Sequence, residues 1–264
     1  MSEAAVAFEA VTAGYGGPPV VHEVDLHVRP GEVVGLVGPN GSGKTTLIRV
    51  ASRALRPEGG RVLVGGQDPY ELSARRSARL VAVVPQDVVS VFSFTALEVA
   101  MMGRSPYRSA WGLGSPQDWP LVRAAMQTTG VAELADRPIE ELSGGERRRV
   151  VLAQALAQDA PVLLLDEPTT HLDLLHVVEL LAVVRDLAGR QDAAVLAIFH
   201  DLNVAASTCD RMYALSRGRV VAEGRPEDVV TPALLAKVYG VAAAVLPNPV
   251  TGRPMVAVGP PDPH

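Results

Sequence analysis

Apolar residues fall along this chain in two rhythms. β-branched runs at positions 6–8, 20–28, 33–37 and 61–64, bounded by Gly and Pro turns, predict strands and make the N-terminal third strand-rich. From 95 to about 157 the spacing becomes helical, broken by Ser105-Pro106 and by a Gly-Pro-Ser stretch at 112–116. Strand and helix then alternate, with an apolar run at 162–165, a helix over about 174–187 and a second run at 195–199. The Pro-rich tail after Tyr239 carries short apolar segments around Val245 and Val256 and is expected to pack as a small appendix. No internal repeat is evident. The pattern predicts an α/β core over 1–92 and 158–240, a helical subdomain inserted at 93–157, and the appendix at 241–264.

With 264 residues, 48% of them hydrophobic, the chain can bury one large core without disulfides or metal. Mean hydropathy is positive, yet no uninterrupted apolar run approaches the ~18 residues that a spanning helix needs. No segment is therefore expected to cross a bilayer. The opening Met1-Ser2-Glu3-Ala4 lacks a basic segment followed by an apolar stretch, so no secretory signal is read. A single cysteine, Cys209, excludes an intrachain disulfide and fits a reducing compartment. Net charge is -5 and the basic residues are dispersed, which argues against a nucleic-acid-binding surface. The triplet Arg147, Arg148 and Arg149 reads as a solvated helix face. Nearly all basic residues are arginine; lysine occurs only at 44 and 237.

One of those lysines falls in Gly38-Pro39-Asn40-Gly41-Ser42-Gly43-Lys44-Thr45, the pattern G-x-x-x-x-G-K-[ST]. An apolar strand enters the motif and the apolar sequence from Thr46 onward leaves it as a helix, the context its mechanism requires. Glycines let the backbone curl around polyphosphate oxygens, and the helix N-terminus adds partial positive charge. Lys44 is expected to reach the β- and γ-phosphates as an exposed loop lysine, and the Thr45 hydroxyl to ligate Mg²⁺. A second apolar run ends in Asp166-Glu167. Alternation along a strand gives the two acids different positions at its C-terminal end, where α/β ligand sites lie. Asp166 is assigned to the Mg²⁺ shell, and Glu167 to orienting and polarising the attacking water.

These two features alone suit a kinase, a GTPase or a motor. Leu142-Ser143-Gly144-Gly145-Glu146, opening a helix about twenty residues before Asp166, resembles the signature sequence of the ABC ATPase family. A serine N-cap and two glycines at a helix N-terminus make a second anion site. One fold cannot bring both anion sites to one phosphate, so a partner subunit is implied. In the family, the signature of one subunit binds the γ-phosphate held by the other, which implies a homodimer around two Mg-ATP. The implied fold is a P-loop NTPase with a RecA-like core, an antiparallel β subdomain and an inserted helical subdomain.

The resemblance carries further roles, residue by residue. Tyr15 looks like the aromatic that stacks on adenine. Gln86 resembles the glutamine that touches Mg²⁺ and the attacking water, and His200 the switch histidine at the γ-phosphate. Asp173 resembles the loop that communicates across the dimer. Glu167, His200, Gln86 and Lys44 are then the candidate catalytic set, with Thr45, Gln86 and Asp166 around the metal. His171 and His176, five apart, receive no metal role.

Stretches at 97–107, 168–173, 200–203 and 247–254 look like ATPases of the iron-chelate, haem and cobalamin import group. This implies integral membrane permease subunits as partners, a substrate-binding protein indirectly, and a place at the cytoplasmic face of the membrane. The alternatives are the ATPase of another importer or of an exporter, and a soluble ABC ATPase outside transport. Val91, Phe92 and Phe94, in the apolar stretch 88–94, are expected to lie exposed for a permease helix. Arg148 stands where many members have glutamine, and Val177 where this group often has glutamine. Neither is expected to touch the chemistry.

Overall fold

The computed structural model describes residues 4–86, 93–108, 115–170 and 172–259. Strands β1 (Val6–Ala13) and β2 (Val21–Val28) alternate buried and exposed positions, as a sheet covered on one face does. β1 runs beyond the 6–8 segment because its period breaks at an irregularity in register, where Ala10 takes φ 48°. β3 (Val33–Val37) is buried at every position and leads into α1 (Lys44–Ala51). β4 (Gly59–Val64) pairs antiparallel with β1 and completes a three-stranded sheet in the order β2-β1-β4. The short α2 (Ala74–Ser77) precedes β5 (Val81–Val84).

Three helices follow: α3 (Ala96–Met102), α4 (Asp118–Thr128) and α5 (Gly144–Ala157). Thr95 and Ser143 start α3 and α5 with reciprocal capping boxes, to Glu98 and Glu146. The three helices share an apolar cluster of their own that includes Ala96, Val122, Met126 and Val150. Inside it Arg104 Nε donates to Asp118 Oδ1 at 2.8 Å and Arg104 Nη1 to the Ala157 carbonyl at 2.9 Å. α5 belongs to two clusters. Val150, Ala153 and Ala157 face the helices, whereas Val151, Leu152 and Ala155 pack against the sheet.

The remaining elements are β6 (Val162–Asp166), α6 (Leu174–Gln191), β7 (Ala194–Ile198), α7 (Leu202–Thr208), β8 (Arg211–Ser216), β9 (Arg219–Gly224), α8 (Pro226–Val229), α9 (Pro232–Leu234), β10 (Ala243–Pro247) and β11 (Pro254–Val258). α6 is longer than the predicted 174–187. It continues through Gly189 and stops at Asp192, which takes the left-handed φ 53° that glycine usually supplies. The main sheet has the order β5-β6-β7-β3-β8-β9. Its first five strands are parallel and β9 is an antiparallel edge. β6 and β7, like β3, are buried throughout, because helices cover a parallel sheet on both faces.

The tail is a β10-β11 hairpin seated on α7. The Asn203 side chain pairs with the Val256 backbone in both directions, accepting from N at 2.7 Å and donating to O at 3.3 Å. Arg253 donates to the Ala206 and Cys209 carbonyls near the end of α7. No helix among the described residues is long and apolar enough to cross a membrane.

Candidate functional site

β3, β6 and β7 are parallel neighbours in the order β6-β7-β3, so their C-terminal ends meet at one edge. That edge is where an open α/β sheet presents its ligand site. From β3 the chain turns at Gly38, with φ 147° and with the Leu215 carbonyl oxygen only 2.2 Å from where a Cβ would stand. No other residue fits there without moving the backbone. The loop closes at Gly43, φ 102°, and α1 begins on Lys44.

Lys44 is not the exposed loop lysine that its motif suggests. It is 6% exposed, and Nζ donates to the Gly38 and Pro39 carbonyls at 2.8 and 3.0 Å. Burial lowers its pKa, against the pull of the Glu167 and Asp166 charges. Ser42 Oγ is buried in the same loop with no hydrogen-bond partner among the described residues, which fits a hydroxyl that takes up a bound ligand.

β6 delivers Asp166, 5% exposed, with the Thr45 hydroxyl donating to its Oδ1 at 3.3 Å. Burial raises the Asp166 pKa; the Thr45 hydrogen bond opposes that rise and the Glu167 charge adds to it. A carboxylate and a hydroxyl oxygen so close form a hard donor pair of the kind Mg²⁺ takes, and a cation there would favour the ionised acid that burial disfavours. The residues therefore fit the metal.

At Glu167 the backbone takes φ 50°. Its Oε2 accepts from Gln86 Nε2 at 3.2 Å and from Thr170 Oγ1 at 3.3 Å. From the end of β7, His200 Nε2 lies 3.2 Å from Asn40 Oδ1. Together these groups line a cavity of about 460 Å³, bounded by residues 40–46, Gln86, Glu167, Thr170 and His200. Tyr15 stands outside that lining. It is 54% exposed, its hydroxyl 3.2 Å from Thr46 Oγ1 and the Arg49 guanidinium over its ring.

The structure does not bring Ser143, Gly144, Gly145, Glu146 or Asp173 to this cavity. The first four open α5, with Ser143 N donating to Glu146 Oε2 at 2.8 Å. Asp173 caps α6, accepting from His176 N at 3.0 Å, and lies 2.6 Å from His176 Nδ1. His171 lies outside the described residues. Among the described residues, no group of three or more His, Cys, Asp and Glu side chains gathers as a metal site.

Three further expectations are corrected. The 147–149 triplet is not a solvated face: Arg148 is buried and its neighbours are half-buried, because α5 is covered on two sides. Nor is Arg148 remote from the chemistry, since its guanidinium donates to the backbone carbonyls of Gln86, Asp166 and Glu167. Phe94 is half-buried against the helical cluster, and its carbonyl accepts from Ile139 N at 2.8 Å; Val91 and Phe92 lie outside the described residues. Thr170, which contacts Glu167, was legible only as part of the 169–173 loop.

A twisted parallel sheet with a phosphate loop after β3 and an acidic end to β6 defines the P-loop NTPase fold. The family model described as ABC transporter matches residues 21–170, and the chain belongs to that family of ATP-binding cassettes. It is 46% identical over 236 residues to a cobalamin import ATP-binding protein of Halobacterium salinarum, covering 89% of this chain and 59% of that one. The chain thus spans about three fifths of that relative's length. It is 38% identical over 247 residues to an iron(3+)-hydroxamate import ATP-binding protein of Bacillus subtilis, with 94% and 92% covered. Among solved structures, a dimeric bacterial ABC transporter cassette superposes with a TM-score of 0.75 at 26% identity, over 84% of this chain and 98% of that one. An inward-facing transporter of metal-chelate type reaches a TM-score of 0.84 over 98% of both chains at 23% identity, a likeness of fold.

Proposed function

We propose that this chain binds and hydrolyses ATP as the cassette subunit of an importer for an iron chelate, haem or a corrinoid. The observation that carries the hydrolytic part is the convergence of Lys44, Glu167, Gln86 and His200 on one cavity behind the phosphate loop. Residues 38–46 cradle the polyphosphate, Lys44 faces its β- and γ-oxygens, and Tyr15 at the rim stacks on the base. Thr45, Asp166 and Gln86 are the residues that would hold Mg²⁺, whose charge offsets that of the polyphosphate when bound. Glu167 accepts a proton from the attacking water as the water approaches the γ-phosphorus in line with the leaving oxygen. Gln86 and Thr170 fix the carboxylate for that task, and His200 stands over the γ-phosphate on its Asn40 contact.

The same proposal divides the chain into a core at 1–92 and 158–240, a helical subdomain at 93–157 and an appendix at 241–264; the separate apolar cluster of α3, α4 and α5 supports it. Two copies close head to tail, so that Ser143, Gly144, Gly145 and Glu146 of one reach the nucleotide held by the other. Exposure of Leu174, Leu175 and Val178, next to Asp173 and apolar without a cover in the single chain, supports such a pairing. The chain would act at the cytoplasmic face of a membrane with integral permease subunits, fed by a substrate-binding protein. Support for the cargo comes from relatives named for import of cobalamin, iron(3+)-hydroxamate and hemin.

Deleting the gene and measuring uptake of labelled ferric siderophore, haem and cobalamin tests the cargo. Loss of one of the three, restored by the wild-type gene and not by a Lys44→Ala version, is the expected result. Normal uptake of all three, with a defect in an unrelated solute, would overturn it.

A further inference from the structure

We propose that Arg148 is a positioning residue that sets the backbone of Glu167 and Gln86 and ties both to the helix beginning at Ser143. The inference rests on the hydrolytic role proposed for Glu167. Arg148 lies in the second turn of α5 and is 7% exposed. Its Nη1 donates to the Gln86 carbonyl at 2.6 Å, and its Nη2 donates to the Asp166 carbonyl at 3.3 Å and to the Glu167 carbonyl.

These three carbonyls lie at or just beyond the C-terminal ends of β5 and β6, where the sheet ladder runs out, and a carbonyl withdrawn from water needs a donor. A planar guanidinium carries several N–H groups in fixed directions and stays charged, so one side chain can hold all three. The grip falls on a strained point: Glu167 has φ 50°, a left-handed conformation that side chains other than glycine, asparagine and aspartate rarely adopt. Such a conformation persists where several contacts fix it together. Here Arg148 holds the carbonyl from the α5 side, while Thr170 N donates to that carbonyl at 3.3 Å and Thr170 Oγ1 to the carboxylate at 3.3 Å.

The ring then closes through the side chains, since Gln86 Nε2 donates to Glu167 Oε2 at 3.2 Å. Arg148 thus fixes both backbones, and the two side chains fix each other inside the cavity. Because α5 also carries the Ser143 capping box, any shift of that helix relative to the sheet is passed through Arg148 to Glu167 and Gln86. Arg148 need not touch nucleotide to do this, and it is absent from the cavity lining.

The test compares purified full-length Arg148→Met, Arg148→Lys and Glu167→Gln with wild type, measuring kcat and KM for ATP and the Kd of a fluorescent ATP analogue. Arg148→Met keeps the length of the side chain without its donors, and should lower kcat by about 10²-fold, the scale expected when a catalytic group is misplaced by about an ångström. KM and Kd should stay within about twofold, since the phosphate loop is untouched. Arg148→Lys offers one ammonium for three carbonyls and should fall between, with a kcat loss of about tenfold at the same Kd. A Met variant with wild-type kcat, or one whose loss lies wholly in Kd, overturns the assignment. If Arg148→Met does not fold, Arg148→Lys decides: wild-type kcat overturns the assignment, and a selective kcat loss supports it. Glu167→Gln separates the two levels. Should Glu167→Gln keep turnover, the hydrolytic proposal itself fails; should it lose turnover while both Arg148 variants keep theirs, only the positioning role fails.

Discussion

Replacing Glu167 by glutamine removes a charge while leaving most of its scaffolding. The carboxylate accepts from Gln86 Nε2 and Thr170 Oγ1 through Oε2, and a glutamine carbonyl oxygen at that point accepts the same two bonds. The backbone at φ 50° carries a side chain of equal length and branching in either case. What is lost is the capacity to take a proton from water, a contribution of about 10² to 10⁴ in rate. At 1.36 kcal/mol for each factor of ten, that raises the barrier by about 2.7 to 5.4 kcal/mol. Nucleotide binding should survive, because the Glu167 charge disfavours ionisation of Asp166, and its removal leaves the carboxylate assigned to Mg²⁺ easier to keep charged. Steady-state phosphate release gives kcat, and titration with a non-hydrolysable analogue gives Kd. Size-exclusion chromatography with Mg-ATP should show the variant held as a dimer. A kcat within about tenfold of wild type would refute the assignment.

Lys44→Ala should weaken ATP binding by about 10- to 100-fold, the loss of charge-assisted bonds to phosphate. It should also lower the unfolding free energy by about 1 kcal/mol, since the Gly38 and Pro39 carbonyls lose a buried donor; unchanged affinity by calorimetric titration would sink the phosphate-loop role. Ser143→Arg and Lys44→Ala should each be inactive alone, yet regain partial ATPase activity when mixed, because a mixed pair retains one intact composite site. No recovery, with mixed dimers demonstrated by cross-linking, would contradict a shared site. Asp118→Ala should cost about 3 kcal/mol in urea unfolding, leaving the Arg104 guanidinium buried without its counter-charge. Burial alone would raise the Asp118 pKa, but Arg104 and the Ser115 N–H reverse this and hold it below the ordinary aspartate value. The pair's contribution is therefore complete above the ordinary carboxylate range and is lost as pH falls through the lowered folded value. The gap between wild type and variant should be flat from neutral pH to about 5 and close only below about 4; a gap that changes between pH 8 and 6 would contradict the assignment.

Much of this was legible because each segment's own burial is written in its own sequence. Runs at 33–37 and 162–165 are apolar at successive positions, which fits strands covered on both faces, and β3 and β6 are such strands. The Gly38 to Thr45 motif and the Asp166-Glu167 pair were equally plain, because phosphate chemistry needs those residue types at that spacing. Less visible was what lies on top of an element. Arg148 sits among three basic residues on a helix, where charge patterning favours solvent, and its actual partners are main-chain carbonyls, which carry no residue type. Lys44 was misjudged for the same reason: its resting partners are the Gly38 and Pro39 carbonyls. The helix expected to end near 187 runs on through Gly189 to Gln191, since tertiary packing outweighs the ~1 kcal/mol that a helical glycine costs.

The order β6-β7-β3 explains why one cavity can collect residues separated by more than a hundred positions. Thr45 and Asp166 are 121 residues apart and Asn40 and His200 are 160 apart, yet each pair hangs from strands that are neighbours or next neighbours in a parallel sheet. Such a sheet gathers phosphate loop, acids and histidine at its C-terminal edge, while the residues that open α5 are not part of the cavity lining there. On the proposal that the start of α5 binds an anion, that anion would belong to a second chain's nucleotide, and the apolar Leu174, Leu175 and Val178 are exposed on the single chain. The proposed two-fold pairing would answer both at once, if the face that covers the apolar residues also brings a second Ser143 to the γ-phosphate. If that pairing forms, the proposed positioning role of Arg148 would give the contact a route inward, because its guanidinium joins α5 to the Glu167 carbonyl.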